Sequence, residues 1–199
     1  MFYDTVSYAH GLPHDPLKAI VAPRPIGWIS AMSADGAVNL SPYSFFNAFS
    51  TRPPIVGFSS EGLKDAVAFI SETKEFVCNL ATWDLRHEMN ATSATLPRGE
   101  SEFAHAGLEQ EASRLVRPPR VKGVAAALEC RLSEIVKLKT STGEELDRWL
   151  VLGHVVGVYI DERFIRNGLF DITAAQPIAR CGYHDYAVVN EVFSIVRPQ

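Results

Sequence analysis

The run WLVLGHVVGVYI, Trp149 to Ile160, limits most narrowly what this chain can fold into. It falls short of the roughly 20 apolar residues that a membrane span needs, and His154 interrupts it. Both faces of its two-residue period are apolar, so it reads as a central strand buried on both sides, with His154 a satisfied core residue. Upstream, Ala126 to Val136 alternates, with Leu128, Cys130 and Leu132 on one side and Glu129, Arg131 and Ser133 on the other. That is the pattern of a sheet with one wet face. TSTGE, Thr140 to Glu144, supplies a turn between the two runs.

Shorter strands precede this pair. Ile26 to Met32 ends at Ala34-Asp35-Gly36, a hairpin signal because Asp-Gly readily takes positive φ, and Val38 onward should run back beside it. Ile55 to Ser59 follows two prolines, and Glu75 to Leu80 is a further strand. Helices are few: Lys64 to Thr73 places Ala66, Val67, Phe69 and Ile70 at helical spacing with Asp65 in the first turn. Asp84 to Ala94 and Ser101 to Ala106 are shorter candidates. Many short strands with turn signals and peripheral helices predict a closed β-barrel.

No linker, charge block or internal repeat divides the 199 residues, which predicts a single domain over 1–199. The net charge of −4, with cations spread evenly, argues against nucleic acid. The start carries no basic-then-apolar signal segment, and three scattered cysteines, Cys78, Cys130 and Cys181, suit a reducing compartment. The reading is a soluble, cytoplasmic protein with no membrane span. The histidines show no metal-ligand spacing, so no metal site is expected.

NLSPYSFFNAFSTRPP, Asn39 to Pro54, concentrates aromatic rings, hydroxyls and two asparagines. A core segment would not do so, because each buried hydrogen-bonding group left unpaired costs roughly 1 to 3 kcal/mol. A plain surface loop has no need of Tyr43, Phe45, Phe46 and Phe49. The stretch reads as the receiver of a flat, polar-edged ligand. A lysine at position 64, beginning a helix, opposes the helix dipole unless an anion sits there to meet both.

RPIGWISAMSADG, NLSPYSFFNAFSTRPP and VGFSS together resemble the flavin reductase-like group of FMN-binding split-barrel proteins, which includes the flavoredoxins. KD at Lys64-Asp65, EFVCNL, HEMNATS, PPRVKGVAAALECRLSEIV, LGHVVGVYID and RCGYHDYA extend the resemblance from about Arg24 to Pro198. It implies a mainly β fold, a six-stranded split β-barrel with peripheral helices, in a homodimer that holds one FMN per subunit near the interface.

By that resemblance Ser41, Ser44 and Asn47 offer polar groups, and Pro42 and Tyr43 apolar walls, to the isoalloxazine. Lys64, Ser59 and Ser60 would meet the FMN phosphate, unless Lys64 is only a solvated lysine covering apolar surface. Trp28 and Ser30 would line the pocket by analogy, although an alternating strand also simply buries Trp28. His184 and Tyr183, in RCGYHDY, would contact nicotinamide or another donor. Arg24 and Arg52 could reach phosphate or a substrate carboxylate, or form structural ion pairs, and a buried Asn79 would take a backbone partner.

The resemblance implies an NAD(P)H-dependent FMN reductase that passes a hydride from NADH or NADPH to FMN. Positioning carries such a reaction, and the sequence accordingly offers no catalytic triad. No GxGxxG follows a strand, so no separate Rossmann domain holds the dinucleotide. The alternative is a flavoredoxin-like carrier exchanging electrons with a protein partner. A partner monooxygenase or electron-transfer protein is compatible with either reading.

Overall fold

The structure is a computed structural model, and it describes residues 1–97 and 100–198. The first hairpin forms where the sequence predicts it. β1 (Gly27–Met32) and β2 (Val38–Tyr43) pair antiparallel with Met32 opposite Val38. Between them Gly36 adopts φ +96°, and the Ser33 N–H donates to the Ala37 carbonyl at 2.9 Å. Past a kink at Ser44 and Phe45 the chain continues as β3 (Phe46–Thr51) and returns as β4 (Pro54–Glu61). α1 (Asp65–Thr73), β5 (Glu75–Leu80), α2 (Arg86–Ala91) and α3 (Glu102–His105) follow. The long antiparallel pair β6 (Ala126–Lys139) and β7 (Glu145–Ile160) completes the main sheet.

That sheet has seven strands in the order β2-β1-β5-β6-β7-β4-β3. Its two edges, β2 and β3, are consecutive parts of one kinked segment, so the sheet closes on itself as a mainly β split barrel. The strand count exceeds the expected six because the kink divides one stave into two strands. A small sheet of Arg24–Pro25, Ile178–Arg180 and Tyr186–Val188 ties the N-terminal arm to the RCGYHDY hairpin and packs it against β3.

Two apolar clusters follow from the two-residue period of β1 and β5. Ile29, Phe76 and Cys78 face a barrel interior filled by Phe58, Val151 and Cys130, and α1 closes it with Ala66, Val67 and Ile70. Trp28 and Val77 point the opposite way, to Met89, Phe103, Val121 and Val124 under the helices. Phe58 and Phe76 are fully buried and meet edge to face at 5.9 Å. Each such ring contributes about 1.5 to 3 kcal/mol by leaving water. The interior leaves no room at Gly153, where a Cβ would stand 2.3 Å from the Phe76 ring.

β1 and β5 are therefore the strands covered on both faces, whereas β7 reaches the second cluster only through half-buried Val156 and Tyr159. Val151, Gly153 and Val155 of β7 are buried, whereas His154, Val158 and Ile160 are exposed on the outer wall of the barrel. His154 is not a core residue. Glu129 departs from its expected wet face: it is buried, and its carboxylate accepts from the Arg114 and Leu115 N–H groups at 2.9 and 2.6 Å. The helices are shorter than expected, and Lys64 occupies the N-cap of α1 with an extended backbone, outside the first turn.

Candidate functional site

The kink between β2 and β3 sits where three cavities meet. The first, about 500 Å³, is bordered by Ser41, Pro42, Tyr43, Lys64, Ser93 and Glu102. The second, about 340 Å³, shares Pro42 and Ser93 with it and adds Lys18, Arg24, Ser44, Arg180 and Tyr183. The third, about 500 Å³, shares Arg24 and Ser44 with the second and is walled by Phe45, Phe46, Asn47, Phe49 and Ser59. The segment Ser41–Asn47 thus runs along one continuous groove.

Local backbone chemistry explains the placement. Pro42 lies opposite Trp28 on β2, an edge strand of the sheet, where a missing N–H does not interrupt the ladder. Phe46 can turn in toward the barrel only because residue 27 is glycine: a Cβ there would lie 2.6 Å from the Phe46 ring. Phe45 and Phe49 remain more than half exposed, at 53% and 58%.

In the first cavity the Lys64 ammonium has no ion pair or hydrogen bond among the described residues, and no side chain caps α1. A free ammonium and unpaired first-turn amides form a donor set suited to an anion. Glu102 borders the same space, but its carboxylate is held by the Asn39 side-chain amide at 2.7 Å and the Leu40 N–H at 3.0 Å. Burial raises its pKa above the usual carboxylate range against the pull of those donors. The Tyr43 hydroxyl is buried without a hydrogen-bond partner, the neighbouring Ser60 hydroxyl being turned to the Gly62 carbonyl at 3.1 Å. Burial foremost, then the charges of Glu102 and Asp65, push Tyr43 up to about 12.

The sequence-predicted residues therefore fall into groups. Ser41, Pro42, Tyr43 and Lys64 border the first cavity, Pro42, Ser44 and Tyr183 the second, and Ser44, Asn47 and Ser59 the third. Ser59 is thus not brought beside Lys64. Ser60, Ser30, Trp28 and His184 border none of the three. Trp28 is fully buried, its indole N–H donating to the Thr92 hydroxyl at 2.9 Å, and Ser30 is fully buried beside it. His184 is exposed on its hairpin.

Arg24 is structural, but through backbone carbonyls and not an ion pair. Its guanidinium donates to the Lys18, Val21 and Cys181 carbonyls and so pins the N-terminal arm to the RCGYHDY hairpin. Asn79 takes backbone partners on both sides, donating to the Trp28 carbonyl and accepting from the Val121 N–H. Arg52 is exposed at the β3–β4 turn. Sequence reasoning missed Lys18, Ser93 and Arg180. Arg180 belongs to the RCGYHDY hairpin, where its register partner across the short strands is Tyr186, and Ser93 ends HEMNATS; Lys18 lies outside both, and all three reach the groove only through tertiary folding. Among the described residues no acidic, histidine or cysteine cluster could hold a metal ion.

Comparison with known proteins sets this groove in a family. The flavin reductase like domain matches residues 21–175. An uncharacterized protein of Aquifex aeolicus is 32% identical over 169 residues, covering 82% of this chain and 83% of its own. Nitrilotriacetate monooxygenase component B from Bacillus cereus superposes with a TM-score of 0.89 at 26% identity, covering 98% of both chains. The 2-nitrobenzoate 2-nitroreductase NbaA of Pseudomonas fluorescens has the same fold, with a TM-score of 0.85 at 23% identity over 100% of this chain and 96% of that one. A match over most of the length, on the barrel whose kinked stave carries the groove, means that the chain belongs to the flavin reductase-like family.

Proposed function

We propose that the protein is a single-domain, cytoplasmic FMN-binding oxidoreductase of the NAD(P)H:flavin reductase type. The observation that carries this reading is the groove along Ser41–Asn47, with an unpaired cation at one end and an amide among exposed rings at the other. The residues suit FMN. Lys64, the uncapped start of α1 and the Ser41 hydroxyl would hold the phosphate. Pro42 and Ser44 would line its middle. The Asn47 side-chain oxygen accepts from the Ala48 N–H at 2.8 Å, which leaves its NH2 group to meet an acceptor on the ring edge. FMN held there would supply the redox chemistry, with reduced nicotinamide as the hydride donor. The protein's share is alignment and exclusion of water, since transfer requires reacting atoms at about 3 to 3.5 Å. Tyr183, bordering the second cavity, would contact the donor.

A homodimer belongs to this reading, supported by exposed Phe45, Phe49 and Val158, the last at 61%, on one protomer's outer surface. The Bacillus cereus protein is by name one component of a monooxygenase, and a partner monooxygenase or electron-transfer protein would take the reducing equivalents here. No described helix is long and apolar enough to cross a membrane.

The test is a visible spectrum with and without FMN, followed by anaerobic addition of NADH and NADPH. Bleaching of a protein-bound flavin band by either nucleotide is expected. A band that only dithionite removes would favour the electron-carrier reading, and a protein that ignores FMN would overturn both. Light scattering of the FMN-loaded protein should give twice the monomer mass.

A further inference from the structure

A fourth cavity, about 360 Å³, opens beside the second and shares Met89, Asn90 and Tyr186 with it. Two large rings on its wall stay exposed, Trp83 at 45% and Tyr186 at 43%. Each carries a guanidinium: Arg86 lies 4.0 Å over the indole and Arg180 lies 4.5 Å over the phenol. Arg86 is fixed there by donating to the Trp83 carbonyl at 2.6 Å, and Arg180 by donating to the Tyr183 carbonyl at 2.5 Å. Neither cavity is bordered by an acidic side chain among the described residues. Held rings with adjacent cations are the means by which proteins stack a heteroaromatic base beside its phosphates.

We infer that Trp83, Arg86 and Tyr186 seat the adenosine half of the nicotinamide dinucleotide, with Arg180 and Lys18 facing its pyrophosphate. The inference rests on the donor reading proposed above and deepens it. The fourth cavity has the size of one nucleoside and not of a whole dinucleotide, near the low end of the roughly 300 to 1,000 Å³ typical of ligand sites. The second cavity joins it to the Pro42–Ser44 wall, so an extended dinucleotide can pass from rings to cations to the flavin groove. Arg24 borders the passage but is committed to backbone carbonyls, which leaves Lys18 and Arg180 as the charges that face a ligand.

The test compares NADH with reduced nicotinamide mononucleotide, which has no adenosine, as donors to the FMN-loaded protein. Trp83→Ala and Tyr186→Ala should raise the KM for NADH about 5- to 150-fold, the scale of one lost base stack. The KM for the mononucleotide should stay as in the wild type, with FMN affinity and circular dichroism as controls of folding. Equal effects on both donors, or none on either, would overturn the seat. If neither donor bleaches bound flavin in the wild type, the donor reading fails. The seat is then judged alone by calorimetry with ADP-ribose: binding that either substitution weakens at least 5-fold upholds it, and absent or unaltered binding rejects it.

Discussion

Replacing Lys64 by alanine should move ligand affinity and protein stability in opposite directions. Lys64 sits at the N-cap of α1, makes no ion pair among the described residues and places a positive charge at the positive end of the helix dipole. In the free protein that placement is unfavourable by about 0.3 to 1 kcal/mol. The Lys64→Ala protein without FMN should therefore melt at the wild-type temperature or up to about 4 °C above it. A phosphate in the first cavity reverses the sign. A charge-assisted contact there is worth about 1 to 3 kcal/mol, so the FMN dissociation constant should rise roughly 5- to 150-fold. Fluorescence titration of flavin and calorimetric melting of the apoprotein read the two quantities separately. An unchanged dissociation constant would return Lys64 to the class of solvated surface lysines. A weakened site accompanied by a lowered apoprotein melting temperature would mean that the residue supports the fold and not the ligand.

Asn47→Ala should leave the protein folded but shift the visible spectrum or reduction potential of bound flavin, because the ring edge loses its amide; an unaltered spectrum and potential would move the ring elsewhere. Gly153→Ala should destabilise by at least about 1 to 3 kcal/mol in urea unfolding, since the new methyl would stand 2.3 Å from the fully buried Phe76 ring. Tyr43→Phe should be neutral or stabilising near pH 7, because it removes a buried hydroxyl without a hydrogen-bond partner. Its pH profile provides a second measurement. Burial pushes Tyr43 up to about 12 against 10 for the free side chain, so its titration costs nothing below pH 10 and destabilises the fold progressively as pH rises from 10 through 12. The phenylalanine variant should lack that alkaline decline in unfolding experiments.

The hairpin at Asp35-Gly36 and the strands Glu75–Leu80 and Pro54–Glu61 were legible because turn chemistry and two-residue alternation are local signals. Faces were less legible than strands. β7 is apolar on both sides, but only one side looks into the barrel, and nothing in its own sequence distinguishes an outer wall from a second core. Glu129 looked like a solvent-facing residue because its partners, the Arg114 and Leu115 amides, come from a loop whose path the sequence does not reveal. The same limit governed the site. Ser41, Pro42, Ser44 and Asn47 could be picked out because they share one stretch, whereas Lys18, Ser93 and Arg180 arrive from three distant ones. Trp28 shows the converse: adjacency to the groove in sequence and pairing did not put its ring there, since alternation sent it to Thr92.

The kinked segment that closes the barrel has a mechanical consequence. β2 and β3 fasten opposite margins of the sheet, and the Ser59 N–H reaches the Phe45 carbonyl at 2.8 Å directly at the bend between them. A molecule resting on Ser41–Asn47 would straddle the seam of the cylinder, so occupancy would act as a clasp. Binding and barrel closure then draw on the same bend, and breathing of the seam would set how readily the clasp opens.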